Sequence, residues 1–546
     1  MATAEVSELR IEDLDHLGII AGVIDRIGLV EGVNDRLGTS PDEIITTGQI
    51  LKAMILNGQG RTLRVGFVSA PLYLFSNFFQ GKACEHLLGE GIRPEHLNDD
   101  KLGRVLDKLF DYGLTSLFVE LSLAAARREG VATGRVHLDS SSFRVHGSYE
   151  RSDETAITIT HGYSRDKRPD LKQFIVDLMV SGDSGTPLFL RAADGSESDQ
   201  RVFAELIRSF VKRVELDTLF VADAALYSGK NLDGLAQLRW LSRVPETIRE
   251  ARELLESLDG DNLTRAQQGY RVAEVSSDYG GVKQCWVVIE SESRLKGSNA
   301  QVDKRVAREG EKLTKVIRNL KGRHFSCEED ARLAVREVVQ GLRYHLLSGV
   351  DVIAEAYRER PGRPRKGEAP LYRYRVKAAV VRNKELIARS ERRAARFLLA
   401  TNLLDQEALP TQEVLAAYLS QQVAERGFRF LKDPLFFTSS VFLKTPSRVA
   451  SLAMVMGLCL LVYSLADPKS PSLRELRASL DEQDATVADQ KGRPTKRPTL
   501  RWVFQVFQAV HLVLAGAVKH IHGLTEERKH ILGLFSRECR SYYLLL

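Results

Sequence analysis

The sequence predicts an α/β protein in which a strand-bearing core lies among helical regions and is interrupted by an α+β insertion. Two observations predict the core. Helical periodicity runs through residues 1–130 and then gives way, from Gly134, to short runs rich in β-branched and apolar residues. The insertion is predicted by a third observation, because the block 246–395 is too long to be a loop and carries helix and strand patterns of its own.

Residues 1–130 contain IEDLDHLGIIAGVIDRIGLVEGVNDRLG and GQILKAMILNGQG, whose apolar residues recur at helical spacing between short Gly, Asn and Pro breaks. A compact N-terminal helical domain is expected there. Residues 131–245 give the first part of the core. RVHLDSSSFRV, QFIVDLMVSG and TPLFLRAAD read as strands, FAELIRSFVKRV as a helix, and TLFVADAAL and LRWLSRV as further strands, which suits a mixed sheet with an antiparallel portion. Within the insertion, 246–395, IREARELLESL is helical and GYRVAEVSSDYGGVKQCWVVIES reads as a hairpin. A long charged helical stretch follows from about Arg294 to His345, with VDVIAEAY and YRYRVKAAVV as strands. Residues 396–466 return to the core with RFLLATNLL and a following helix, 467–499 read as a polar linker, and 500–546 as a C-terminal helical region.

Lys and Arg total 78 against 72 Asp and Glu, a net charge of +6 that is compatible with nucleic acid without demanding it. Cys84, Cys285, Cys327, Cys459 and Cys539 show neither a CxxC pair nor zinc spacing. They read as free thiols of a reducing compartment, which argues against a disulfide scaffold or a zinc module. The start, MATAEVSELRIEDLDHLG, lacks the basic-then-apolar order of a secretory signal. The run VASLAMVMGLCLLVYSLA, 449–466, is near the lower limit for crossing a bilayer and contains Ser451 and Ser464, so a buried core helix is expected. These features predict a cytoplasmic protein without a membrane partner.

Two carboxylates are expected to emerge at or near strand ends. Asp139 follows an apolar run in RVHLDSSSF and Asp223 follows another in LFVADAALYS, the positions at which an α/β sheet displays functional groups. Helix caps and turns use aspartate at such positions too. A third acid comes from AAYLSQQVAERGFRFLKDP, 416–434, read as one helix on which Tyr418, Gln421, Gln422, Glu425, Arg429 and Lys432 share a face. Alone, that face also suits a solvated surface laced with salt bridges. Beside the two aspartates, Glu425 completes an all-oxygen set without His or Cys, the donor chemistry of Mg2+ or Mn2+. Two such ions about 3.5–4 Å apart can activate a water or hydroxyl and stabilise the leaving oxygen of a phosphodiester. Lys432 and Arg429 could then hold a phosphate while Tyr418 donates a hydrogen bond.

The pattern Tyr418-x2-Gln421-x3-Glu425-x6-Lys432, with HLDSSSF, FVADAALYS, GYSRDKRPDLKQ and RFLLATN upstream, resembles bacterial insertion-sequence DDE transposases of the IS-four-like kind, specifically the IS-sixteen-thirty-four group. The opening run DHLGIIAGVIDRIGLVEGVNDRLG with LKAMILNGQG and HLNDDKLGRVLDKLF extends the resemblance over nearly the whole chain. The resemblance implies an RNase H-like catalytic core with Asp139, Asp223 and Glu425 as its catalytic, metal-binding triad and two Mg2+ (or Mn2+) ions as cofactors. It implies DNA cleavage at the transposon ends and strand transfer into target DNA. The partners implied are double-stranded DNA, as terminal inverted repeats and as target, and a homodimer or higher oligomer assembled on it, in the bacterial cytoplasm at the nucleoid. Tyr418 and Lys432 carry over as phosphate contacts, whereas Gln421 stands where the signature has Arg, which leaves Arg429 as a substitute cation. The N-terminal domain is expected to recognise DNA, though no helix-turn-helix signature names its reading helix.

Two other readings stay open: a catalytically silent DNA-binding regulatory derivative, and a metal-dependent nuclease without strand transfer. Arg165 and Lys172 cluster with His161, Lys167, Arg168 and Gln173 between two strands, where a solvated connection and a DNA-backbone contact both fit. The basic, Pro-containing RERPGRPRKG (358–367) and KGRPTKRPT (491–499) suit either phosphate tracking or an exposed linker. Asp153, Asp166, Asp170 and Asp177 are read as structural.

Overall fold

The computed structural model describes residues 9–60, 74–149, 155–163, 168–214, 217–267, 269–358, 370–433, 443–466, 477–478, 480–482, 484, 486–488, 493–516 and 518–545. Arg165, Lys167, Asp153, Asp166 and the part of RERPGRPRKG beyond Arg358 lie outside the described residues. Contacts group the chain into two units, Met1–Leu241 with Ala416–Leu546, and Ser242–Leu415.

In the first unit, β1 (Leu9–Asp13) precedes helices Leu17–Arg26, Leu29–Leu37, Thr47–Gln59, Asp99–Tyr112 and Leu114–Arg128. The third of these is started by a capping box between Thr46 and Gln49. The expected strands follow as β2 (Arg135–Val145), β3 (Lys172–Ser181) and β4 (Pro187–Ala193), then helix Asp199–Arg213, β5 (Leu219–Ala222) and β6 (Arg239–Arg243). Their order is β4-β3-β2-β5-β6. β2, β3 and β4 pair antiparallel, while β5 joins β2 in parallel across the crossover helix.

The second unit opens with helix Arg249–Ser257 and the strands β7 (Thr264–Gln267), β8 (Tyr270–Ser277) and β9 (Gln284–Ser291). Helices Glu292–Gly322 and Glu328–Gln340 come next, then β10 (His345–Tyr357), β11 (Leu371–Arg382), helix Lys384–Ala395 and β12 (Arg396–Thr401). β12, β9, β8 and β7 form an antiparallel ladder in that order. The β10–β11 hairpin packs Val376 and Ala378 onto Leu313, Ile317 and Leu320 of the long helix. The charged stretch read as continuous helix to His345 is thus two helices, parted at Arg323–Cys327, and His345 already belongs to β10.

The chain returns to the first unit through helix Gln422–Leu431 and helix Pro446–Ala466. The second is long and apolar enough to cross a membrane, yet most of it is buried against helices Thr47–Gln59, Asp99–Tyr112 and Leu114–Arg128 and against β4. Leu458, Leu461 and Val462 are fully enclosed, each such burial contributing about 1.5–3 kcal/mol. The tail corrects the helical reading of 500–546. After the short pair β13 (Val487–Ala488) and β14 (Pro494–Thr495) and helix Leu500–Val506, residues His511–Ala515 and Val518–His522 form β15 and β16. Left-handed backbone at Ala509 separates that helix from β15, Gly516 takes the same conformation between β15 and β16, and β15 finds its partner in β1.

The C-terminal helix Arg537–Leu544 then lies on Leu17–Arg26. Their approach needs glycine at Gly22, where a Cβ would stand 2.3 Å from the Cys539 Cα. The Tyr543 hydroxyl donates to the Asp15 carbonyl at 2.6 Å, and the Ile19 N–H donates to that hydroxyl at 3.2 Å. His16 joins the same seam. It is fully buried, stacks on Phe504 with ring centroids 4.3 Å apart, and places Nε2 2.9 Å from the Gln59 carbonyl, while Nδ1 has no hydrogen-bond partner among the described residues.

Burial pushes the His16 imidazole down from 6.5 to about 4. Between those values the unfolded chain binds a proton at this residue that the folded chain does not, so stability falls as pH falls through that window. Chemical denaturation of the whole chain is expected to show His16 contributing about 2 kcal/mol to the stability lost between pH 7 and pH 5. A His16→Gln variant should lose correspondingly less over the same interval.

Candidate active site

The site starts from strand register. β2 and β5 run parallel with Arg135 beside Leu219, Val136 beside Phe220, His137 beside Val221 and Leu138 beside Ala222. The next residue on each strand is an aspartate, Asp139 and Asp223. Neighbouring strands lie about 4.8 Å apart, so the two backbones present these carboxylates side by side. Asp223 comes directly after the end of β5. Asp139, expected at a strand's end, instead lies within β2, which continues to Val145 because Ser140–Val145 keep their antiparallel partner in β3. Only its ladder with β5 ends there. Both aspartates are half-buried. Asp139 Oδ1 accepts the Ser140 N–H at 2.8 Å, and Asp223 Oδ1 accepts the Ala225 N–H at 2.9 Å in the turn that ends β5.

Glu425 is carried alongside. Side chains alternate along β2, so His137, Asp139 and Phe143 share a face. Ser420 Oγ stands 3.1 Å from His137 Nε2, and Lys432 Nζ stands 5.5 Å from the centre of the Phe143 ring. From Ser420 to Lys432 a helix rises about 18 Å. From His137 to Phe143 a strand advances about 20 Å. The segment therefore runs in step with β2 and in the same direction, and Glu425 falls level with Asp139. Gly427 lets it lie close: a Cβ there would be 3.2 Å from Leu178 Cδ2 and 3.3 Å from Leu460 Cδ2, and Leu178 is the β3 residue opposite Asp139.

The single helix expected over 416–434 is broken. One helix ends at Leu419 and the next spans Gln422–Leu431. Between them the Ser420 hydroxyl donates to the Ala417 carbonyl at 2.7 Å, and the Val423 and Ala424 N–H groups reach back only three residues, to Ser420 and Gln421. The second helix buries Val423, Ala424, Gly427, Phe428 and Leu431. At 100° per residue Gln421, Lys432, Glu425 and Arg429 fall within about 80° of one another, off that stripe, with Arg429 exposed one turn beyond Glu425. Tyr418 belongs to the preceding helix and is half-buried. Lys172, opposite Val145, lies about 20 Å along the strand from Asp139 and donates to the Ser148 carbonyl.

The opposite face of the sheet carries a buried polar network. Ser140 Oγ donates to Asp199 Oδ1 at 2.6 Å, and Arg191 Nε donates to Asp177 Oδ2 at 2.8 Å. Burial raises the Asp177 carboxyl to about 6 against the pull of Arg191. His137, fully enclosed, is pushed by burial and by nearby Arg135 down to about 4 and stays neutral against Ser420. His137, Ser420, Phe143 and Gly427 were not among the residues singled out from sequence. Their available signal was phase: two sit at even spacing from Asp139, and Gly427 interrupts an otherwise amphipathic helix.

Every donor in this set is a carboxylate oxygen, which fits a hard divalent ion. Among the described residues no three His, Cys, Asp or Glu side chains already stand close enough to hold one metal ion.

A family model described as a transposase DDE domain matches residues 133–463. The chain belongs to that family. It is a transposase, and Asp139, Asp223 and Glu425 all fall within the matched region. A second model, a domain of unknown function (DUF4277), matches residues 9–123. Comparison with curated proteins finds no match. A solved piggyBac transposase synaptic complex with hairpin DNA shares 9% identity, over 98% of this chain and 84% of that one, at a TM-score of 0.36, too slight a likeness to support an argument.

The close seat of the Glu425 helix gives a test in this transposase. Gly427→Leu must displace Leu178 or Leu460 and lift the helix from β3, at a cost of about 1–3 kcal/mol. Thermal unfolding should show that loss, with DNA cleavage falling further than the loss of folded protein explains.

Proposed function

We propose that this transposase cuts DNA at the ends of its own element and joins the freed 3′-hydroxyls to target DNA, with Asp139, Asp223 and Glu425 as the ligands of two Mg2+ or Mn2+ ions on an RNase H-like core. The observation that carries this reading is the β2–β5 register that sets Asp139 beside Asp223, with the Glu425 helix in step along the same strand. Divalent ions bound there would supply an activated water or hydroxyl and neutralise charge developing on the phosphodiester. The chain's own part is to fix the donors. The two aspartates are set by strand backbone, and Glu425, exposed at their level, reaches them by rotation of its side chain.

Lys432, steadied over Phe143, is placed to pair with a phosphate on the flank that Glu425 shares. Gln421 on that flank offers amide donors where the motif has a guanidinium, so its grip on phosphate is weaker and uncharged. Arg429, exposed one turn beyond Glu425, is placed to supply a guanidinium next to that position. The motif set supports placement among IS-four-like insertion-sequence transposases, working on duplex DNA as a homodimer or larger oligomer at the bacterial nucleoid. On this reading residues 9–123 recognise the element's terminal repeats.

The test is incubation of the full chain with Mg2+ and duplexes ending in the repeats that flank its element, beside Asp139→Ala, Asp223→Ala and Glu425→Ala. Cleavage and end-joining are expected, each substitution lowering both about a thousandfold, which is about 4 kcal/mol of barrier. Cleavage that never joins ends would reassign the protein as a nuclease. Specific binding without cleavage would overturn the reading.

A further inference from the structure

The positive charge of this chain is concentrated in one stretch. Between Glu292 and Arg382 the sequence holds 22 Lys and Arg against 12 Asp and Glu, an excess of ten, while the whole chain carries only +6. The remainder is therefore net negative. Within that stretch, helix Glu292–Gly322 extends for about 46 Å and buries one stripe, Val302, Val306, Leu313, Ile317 and Leu320. On the opposite side Lys304, Arg308, Lys312, Lys315 and Arg318 lie within about a third of the helix circumference, all exposed. Glu311 is the one acid among them, and among the described residues none of the five cations is within ion-pair distance of a carboxylate. Elsewhere in the same unit exposed arginines are paired along their helices, as Arg249 with Glu253, Arg332 with Glu328 and Arg389 with Glu385.

We propose that this stripe is a second, sequence-independent DNA-binding surface that follows the phosphate backbone of a duplex. It rests on the reading that the substrate is duplex DNA. From Lys304 to Arg318 the cations extend over about 21 Å of straight helix, long enough to neutralise several successive phosphates of a chain that carries one charge per ~1.7 Å of duplex axis. The stripe has no apolar or aromatic members to read a base or enter a lipid surface, so its chemistry is that of backbone contact. Binding there would release counterions and add to affinity without adding sequence preference.

The test compares the full wild-type chain with a variant in which Lys304, Arg308, Lys312, Lys315 and Arg318 are all Gln. A second variant changes only Lys304, Arg308 and Lys312, and a control carries R249Q, R332Q and R389Q. Binding to a short duplex of arbitrary sequence is measured by fluorescence anisotropy across a salt series without divalent metal. Since each phosphate contact contributes about 0.9 to the slope of log affinity against log salt, the five-Gln variant should lose about 3–4 from that slope and at least tenfold in affinity at near-physiological salt. The three-Gln variant should fall between, and the control should match wild type. An unchanged slope, a control that shifts as much, or lost binding to anionic phosphatidylserine vesicles with DNA binding intact would overturn the proposal. Because the readout involves no cleavage, failure of the catalytic reading in the cleavage assay is recorded separately from failure of this one.

Discussion

Four residue pairs, from Arg135 beside Leu219 to Leu138 beside Ala222, hold β2 and β5 in parallel register, and the neighbouring positions of Asp139 and Asp223 follow from them. Val136, Leu138, Phe220, Val221 and Ala222 are almost fully enclosed, so the register is fixed by apolar packing on both faces of the sheet. A slip of one residue would turn every side chain of β5 to the other face and expose this packing. The core therefore places the two acids, and no interaction between the carboxylates themselves is needed to bring them together.

The third acid depends on a different device. Its helix is held along β2 by contacts at both ends, Ser420 against His137 and Lys432 over Phe143, and seated midway at Gly427 on Leu178. These contacts fix the helix lengthwise, while Glu425 itself stays exposed. Asp139 is thus set within β2 and Asp223 directly after β5, while Glu425 is carried on a separately seated helix. On the sheet's other face the Asp177–Arg191 pair links β3 to β4.

Much of this was legible in the sequence because it is local. The apolar runs before Asp139 and Asp223, the amphipathic phase around Glu425 and the enclosed run 449–466 each declare themselves within one element. What could not be read depends on partners distant in sequence. β2 continues past Asp139 only because β3 pairs with it, and the β15–β16 hairpin exists in a tail read as helix because β1 supplies its edge from the other end of the chain. The break at Ser420 was hidden for another reason, since a serine hydroxyl can face outward or bond to its own backbone, and spacing does not distinguish the two. The stripe on helix Glu292–Gly322 was visible only as charge, and needed the position of the buried side to become a surface.

The central claim is that Asp139, Asp223 and Glu425 surround one metal site. Replacing Mg2+ with Fe2+ in the presence of ascorbate and peroxide generates radicals at the bound ion that cut nearby backbone, and mass spectrometry locates the cuts. Cleavage is expected in three segments, around Asp139, around Asp223 and around Glu425, all lost together in Asp139→Ala. Cuts confined to the two strands with the Glu425 helix untouched, or cuts that persist in Asp139→Ala, would contradict it.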